Sequence, residues 1–254
     1  MKKKIIHILR NLPFIFILYK KFFHLFLKFK NSKEEIKYFE IYLKNKKKFI
    51  NETLPPLNGQ KNRKKIINKL IKSKIISKIY ETGSYHGSST EFFSKFKIPV
   101  FTCEISKQAY LIAKDRLLKF KKTKISNCDS IFFLNKLKKS NKINFFYLDA
   151  HDKFLKNPLL KELDIILNKF SKFVIMIDDF QVPHDYEYGY DSDCGKILKL
   201  NFIKKIINKN VQIFFPKIKA KFETGYKRGS VIICRGEKSV QFCNSSDDLV
   251  KHYH

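Results

Sequence analysis

Tryptophan is absent from this 254-residue chain, and glycine is scarce, at eight residues. Acids are also few, 23 against 53 basic residues, for a formal charge of +30. Only five of the basic residues are arginines, at positions 10, 63, 116, 228 and 235. Base-edge reading of nucleic acid favours the arginine fork, so so few arginines argue against a sequence-reading module despite the charge. Lysine, isoleucine, asparagine and phenylalanine are residues of A/T-rich codons. The excess of lysine therefore reads first as a composition bias and a solvated surface. The five cysteines (103, 128, 194, 234, 243) are odd in number, scattered and free of any C-x-x-C, which excludes a disulfide scaffold or a zinc knuckle and fits reduced thiols in the cytoplasm. The opening "MKKKIIHILRNLPFIFILYKK" lacks a small-residue cleavage site, and its apolar run is too short and too charged to span a bilayer. Residues 1–30 could lie on an anionic membrane face at the inner side, or pack on the main domain or a second subunit.

The length suits one large domain with an appendage. Charge is uneven: the first 75 residues hold 21 basic and four acidic side chains. Ser32-Lys33-Glu34-Glu35 is a capping box that starts a helix near residue 33, followed by Ile36, Phe39, Leu43 and Ile50 at helical spacing. "NETLPPLNGQ" (51–60) breaks it, and a second basic helix covers roughly 61–74. These residues read as a helical, lysine-rich N-terminal extension, 1–74. From 75 the pattern alternates. Strand-like runs fall at 75–80, 98–103, 123–127, 143–148, 173–177 and 211–215, with helix-like segments near 88–96, 107–120, 129–139, 156–170 and 194–208. Such alternation predicts an α/β fold with a doubly wound, mostly parallel sheet. A last run, Ser230–Cys234, has no room for a crossover helix and should pair antiparallel. The expectation is a seven-stranded sheet over residues 75–236, with 237–254 as a C-terminal tail.

Two of the eight glycines stand four apart in "IYETGSYHGSST" (79–90), between an apolar run and a helix start. The spacing, Gly83 to Gly87, is neither G-x-G-x-x-G nor a P-loop. A strand, a glycine turn and a helix N-terminus let backbone approach a ligand closely. In an open parallel sheet ligands bind beyond the carboxyl ends of the strands. There the sequence places Glu81, Glu104, Asp129, Asp149 with His151, and Asp178-Asp179 after five successive strands. Any one of these could be a helix N-cap, Asp129 above all. Five together point to a site.

With "ETGSYHGSST", "FTCEIS", "NCDS", "FFYLDAH" and "MIDDF" in this order, residues 75–236 resemble the class I S-adenosylmethionine-dependent methyltransferases. Within them the chain looks most like bacterial small-molecule O-methyltransferases that bind a divalent cation, a likeness to which "DYEYGYDSDCGKILKL" and "FETGYKRGSVIIC" contribute. The resemblance implies a Rossmann-like sheet. It implies that Gly83, Ser84 and Gly87 pass under the methionine end of the cofactor, with Glu81 near its amino group. Glu104 would bind the ribose hydroxyls, which need paired acceptors, and Asp129 the adenine amino group. Asp149, Asp178 and Asp179 match metal-ligand positions, where hard oxygen donors suit Mg²⁺ or Ca²⁺. Such an ion would hold an acceptor hydroxyl deprotonated, with Asp149 as ligand and His151 as general base.

Tyr186, Tyr188, Tyr190, Asp191 and Asp193 could wall the acceptor pocket or belong to a surface loop with buried rings. Arg228 could meet an acidic rim or an anionic substrate group. The reading is methyl transfer to the hydroxyl of a small molecule, such as a sugar or glycan precursor, in a cytoplasmic enzyme that could form a homo-oligomer. Two alternatives are an RNA-modifying enzyme guided by the basic extension, and a non-catalytic membrane- or partner-binding protein. Nucleic acid is disfavoured as a partner because no N-P-P-Y-like motif and no RNA-binding module is found.

Overall fold

The computed structural model describes residues 33–52, 54–150, 157–193, 196–207 and 210–253. Two units arise, residues 1–52 and 53–254. In the first, helix α1 (Lys33–Lys44) and helix α2 (Lys46–Glu52) are described. Their aromatic residues meet at helical spacing: Phe39 stacks on Tyr42 at 5.5 Å between centroids, and Tyr42 meets Phe49 edge-on at 5.7 Å. The membrane-face reading of residues 1–30 lies outside the described residues. No described helix is long and apolar enough to cross a membrane.

In the second unit a 3₁₀ turn (Pro56–Gly59) leads into α3 (Lys61–Lys72). There follow β1 (Lys78–Thr82), α4 (Ser88–Ser94), β2 (Val100–Glu104), α5 (Lys107–Leu117), β3 (Thr123–Asn127), α6 (Ser130–Lys136) and β4 (Asn144–Leu148). Next come α7 (Leu159–Lys169), β5 (Phe173–Asp178), the short pair β6 (Ser192–Asp193) and β7 (Lys196–Ile197), and α8 (Leu200–Ile203). The chain closes with β8 (Gln212–Pro216), β9 (Ser230–Arg235), α9 (Glu237–Asn244) and β10 (Leu249–His252).

The main sheet has the order β10-β8-β9-β5-β4-β1-β2-β3. Strands β1 to β5 pair in parallel, and β9 inserts antiparallel between β5 and β8. The antiparallel pairing expected for Ser230–Cys234 is therefore present. The sheet has eight strands and not seven, because residues 249–252 of the expected tail pair antiparallel with β8 (Val250 opposite Phe215). A turn at 245–248 lets the tail double back from α9 onto that edge. The helix expected over 194–208 is also shorter. Lys196–Ile197 pairs with Ser192–Asp193, and Leu198 exchanges backbone bonds with Asp191 and Gln181, so that stretch is held extended.

Strand residues alternate between two apolar layers, as a sheet covered on both faces requires. Tyr80, Phe146, Phe173, Ile175 and Ile233 face α6 and α7. Ile79, Phe145, Tyr147, Val174, Met176 and Ile232 face the layer that holds α3, α4 and α9. The sequence groups α3 with the extension, but Ile66, Ile67, Leu70 and Ile71 bury one stripe of it against the sheet. Arg63 falls on that same buried stripe, one turn earlier. The helix thereby delivers a guanidinium to the carboxyl end of β5.

Candidate active site

The strand order reverses between β1 and β4, which opens a crevice at their carboxyl ends. Gly83 sits there with φ +75°, and a Cβ on it would lie 2.4 Å from the Asp149 carbonyl oxygen. Only glycine lets the ends of β1 and β4 pass this closely. The turn is pinned from β2: Gly83 N and Ser84 N both donate to Cys103 O, at 3.2 and 3.0 Å. Gly87 N then donates to Ser84 O at 2.7 Å, and Gly87, itself left-handed, opens α4. Arg116 braces the loop from α5 through His86 O at 2.9 Å and Glu91 at 3.4 Å. Burial, then Arg116, lowers His86 to about 4, which keeps it neutral.

Glu81 is 1% exposed at the end of β1 and accepts a hydrogen bond from Thr90 Oγ1. Burial pushes its carboxyl up to about 7, against the Thr90 bond. The Ser84 hydroxyl is buried and has no hydrogen-bond partner among the described residues. Glu104 ends β2 with each oxygen fixed by a backbone amide: Oε2 accepts from Tyr85 N at 2.7 Å and Oε1 from Ser106 N at 2.8 Å. The side chains of Tyr85, Ile105 and Phe132 are exposed after the same strand ends. Asp129 caps α6, its Oδ1 accepting from Phe132 N at 2.8 Å. The structural role considered for Asp129 is therefore present, on an exposed residue at the rim.

The ends of β4 and β5 are built differently. Asp178 is fully buried, and four donors converge on its two oxygens. Oδ1 accepts from Arg63 Nη1 and from Asp179 N at 2.8 Å, and Oδ2 from Tyr147 OH and Asn58 Nδ2 at 3.0 Å. Arg63 Nη2 also donates to the carbonyls of Arg228 (2.5 Å) and Gly229 (3.1 Å). Burial opposes the charge on Arg63, but Asp178, Tyr147 and Asp179 outweigh it and hold the guanidinium protonated. Asp179 (φ +53°) accepts from Arg228 Nε at 2.5 Å, and Arg228 Nη2 donates to Asp191. Gly189 makes room for that arginine, since a Cβ there would stand 3.0 Å from Arg228 Nη1. Burial and then Asp178 raise Asp179 to about 7, opposed by Arg228. Burial, followed by Asp178 and Asp179, raises Asp149 well above the usual carboxylate range.

The structure therefore gathers Glu81, Gly83, Ser84, Gly87, Glu104 and Asp129 along the ends of β1 to β3. It sets Asp149, Asp178 and Asp179 beside them. His151 lies outside the described residues. Tyr188 is buried with its hydroxyl on Ile218 O at 3.0 Å and is a packing residue, whereas Tyr186 is exposed. Asn58, Gln60, Arg63 and Tyr147 were not expected in the site. Gln60 ties the 3₁₀ turn to the loop before β9 through Arg228 N and O at 2.9 and 3.0 Å. The one available signal was the rarity of arginine, which marks positions where a lysine cannot supply a planar fork.

Two fits follow from these donor sets. An unsatisfied buried hydroxyl, a carboxylate pair at the ends of β1 and β2, and exposed apolar side chains suit a nucleoside with an amino-acid tail. The β4–β5 acids do not suit a divalent cation as expected. The oxygens of Asp178 are filled, two of the three carboxylates already carry a guanidinium, and no group of three or more metal-type ligands exists among the described residues.

No family model and no curated protein sequence matches the chain. Solved structures do. The O-methyltransferase from Bacillus cereus, in complex with S-adenosylhomocysteine, aligns over 81% of this chain and 92% of its own at 15% identity, with a TM-score of 0.52. The O-methyltransferase TomG from Streptomyces achromogenes, involved in tomaymycin synthesis and in complex with S-adenosylmethionine, aligns over 82% and 92% at 13% identity, also at 0.52. The chain has the Rossmann-like fold of class I methyltransferases.

Proposed function

We infer that this chain transfers a methyl group from S-adenosylmethionine to a hydroxyl of a small molecule, a sugar or glycan precursor being one such acceptor. The observation that carries the reading is Glu104, whose two oxygens are oriented by the amides of Tyr85 and Ser106 at the mouth of the glycine turn. A carboxylate held this way can accept from two vicinal hydroxyls without first having to be ordered. Two solved structures of the same fold hold this cofactor or its demethylated product, which supports the assignment. When bound, the cofactor supplies an electrophilic methyl on a sulfonium.

The remaining work falls to the chain. Glu81, with a carboxyl at the end of β1, would receive the amino group. Ser84 Oγ would find the partner it lacks among the described residues, and Asp129, at the rim of β3, would accept from the adenine amino group. His151, two residues past Asp149, would take the acceptor's hydroxyl proton as general base. No step is assigned to a metal ion.

Calorimetry tests the reading. S-Adenosylhomocysteine should bind and NAD should not. Glu104→Ala should weaken the binding by roughly 1.5–3 kcal/mol, the range for a hydrogen bond to a charged group. Unchanged affinity in that variant would remove Glu104 from the ribose role, and absence of any binding to the wild-type chain would sink the assignment.

A further inference from the structure

The geometry points to Arg63 and Arg228 as residues that stand in for a divalent cation, so that this chain binds no metal ion at the ends of β4 and β5. This rests on the methyltransferase reading only in assigning the site to acceptor handling; the charge argument stands without it.

A carboxylate presents about four lone-pair directions. On Asp178 all four are engaged, by Arg63, Asn58, Tyr147 and the Asp179 amide. A hard cation at this position would have to displace at least one of them. Arg63 cannot readily withdraw. It is 2% exposed, its Nη2 is held by two backbone carbonyls, and it belongs to the apolar stripe that docks α3 on the sheet. A divalent ion next to Asp178 would therefore meet an immobile guanidinium at close range in a dry environment, where like-charge repulsion is least screened.

Arg228 repeats the device on the second acid. Its Nε engages Asp179 and its Nη2 engages Asp191, so one guanidinium bridges two carboxylates as a metal ion would. The bridge is built in: Gly189 leaves the space for it, and Gln60 holds the Arg228 backbone on both sides. Arginine keeps its proton at any accessible pH, so it supplies a fixed positive charge that no chelator removes. The acceptor then has no ion to chelate, so two adjacent oxygens are not needed for it to be seated. An isolated hydroxyl suffices.

The test is a Mn²⁺ titration of the full chain after EDTA treatment, read by the electron paramagnetic resonance signal of free Mn²⁺. S-Adenosylhomocysteine affinity is measured on the same samples. The wild-type chain should leave the free Mn²⁺ signal undiminished up to millimolar concentration. Arg228→Gln releases Asp179 and Asp191 and should bind Mn²⁺ at least tenfold more tightly than wild type, and the further change Asp179→Asn should abolish that gain. Micromolar, stoichiometric Mn²⁺ binding by the wild-type chain that is lost in Asp179→Asn overturns the inference. An Arg228→Gln variant as silent as wild type overturns the role of the arginines. Should Arg228→Gln fail to fold, the comparison of wild type with Asp179→Asn decides alone, since silence of both supports the inference and binding lost on substitution defeats it. Failure to bind S-adenosylhomocysteine would count against the proposed activity and leave the metal result intact.

Discussion

At the carboxyl edge of the sheet the charges are carboxylates, most of them buried or half-buried, fixed by arginine forks, backbone amides and a threonine hydroxyl. At the amino edge they are lysines. There a cavity of about 690 Å³ is lined by Lys74, Lys142, Lys172 and Lys238, with Glu237 as its only acid among the lining residues. All four lysines are exposed. One protein with a formal charge of +30 thus has an acidic functional edge, so net charge says little about local chemistry. The choice of cation follows the same division. The four described arginines each make a directed, partly or wholly buried contact: Arg63 with Asp178, Arg116 with the glycine loop, Arg228 with two aspartates and Arg235 with Leu167 O. Lysine, a flexible and strongly hydrated point charge, is left to the surface.

The sharpest way to break this comparison is to remove one partner at each edge. Asp178→Ala should cost roughly 3–5 kcal/mol of folding stability, because it strands the Arg63 guanidinium in the core. Lys142→Ala, on an exposed residue of the opposite edge, should stay within about 0.5 kcal/mol of wild type. Urea unfolding of the two variants measures both. Similar losses would mean that burial does not separate the edges.

How much of this could be read in advance depended on the kind of contact. Strands β1 to β5, β8 and β9 declared themselves as apolar runs of the right length, and the acids that follow β1 to β5 were visible because each stands directly after its run. Tyr147 was visible as strand but not as a site residue, since its hydroxyl reaches Asp178 across neighbouring strands. Asn58 and Arg63 were hidden for the same reason: they meet Asp178 at sequence separations of 120 and 115, and nothing local signals such a bond. The tail strand β10 was missed because "DDLVKH" is too polar to read as a strand, yet an edge strand needs only one buried side chain, here Leu249. Filled carboxylates cannot be told from ligating ones by spacing. The metal expectation rested on that spacing alone.

A middle-sized effect should separate the edges by pH. Glu81 rises from its ordinary 4.5 to about 7, chiefly through burial. The folded chain therefore holds that proton where the unfolded chain has released it, so Glu81 favours folding below pH 4.5 and this contribution is lost as pH rises to about 7. A shift of this size corresponds to about 3 kcal/mol at most. Glu81→Gln should flatten the decline of stability between pH 4.5 and 7 that the wild-type chain shows. Asp179, also raised to about 7, would keep part of the slope in both proteins. Parallel pH profiles for the two would show that Glu81 is ionised throughout, and with it the burial argument at the end of β1 would fall.

The smallest effect belongs to a half-buried carboxylate between two exposed lysines, and its sign is opposite. Asp248 lies between Lys65 Nζ at 2.6 Å and Lys69 Nζ at 2.5 Å, on lysine side chains 54% and 45% exposed. Burial works against its charge, but the two lysines win, and its carboxyl sits below the ordinary 3.8. The unfolded chain then binds the proton first as pH falls, so the pair stabilises the fold above about pH 3.8 and the contribution disappears as pH drops through the folded value. Solvent and salt screen both lysines, so Asp248→Asn should cost only about 0.2–1 kcal/mol at neutral pH, and less in high salt. The variant and wild type should converge in stability as pH falls below 3.8. A loss as large as that of Asp178→Ala, or one indifferent to salt, would show that Asp248 works through the turn it occupies between α9 and β10, and that the surface lysines are more than a solvated coat.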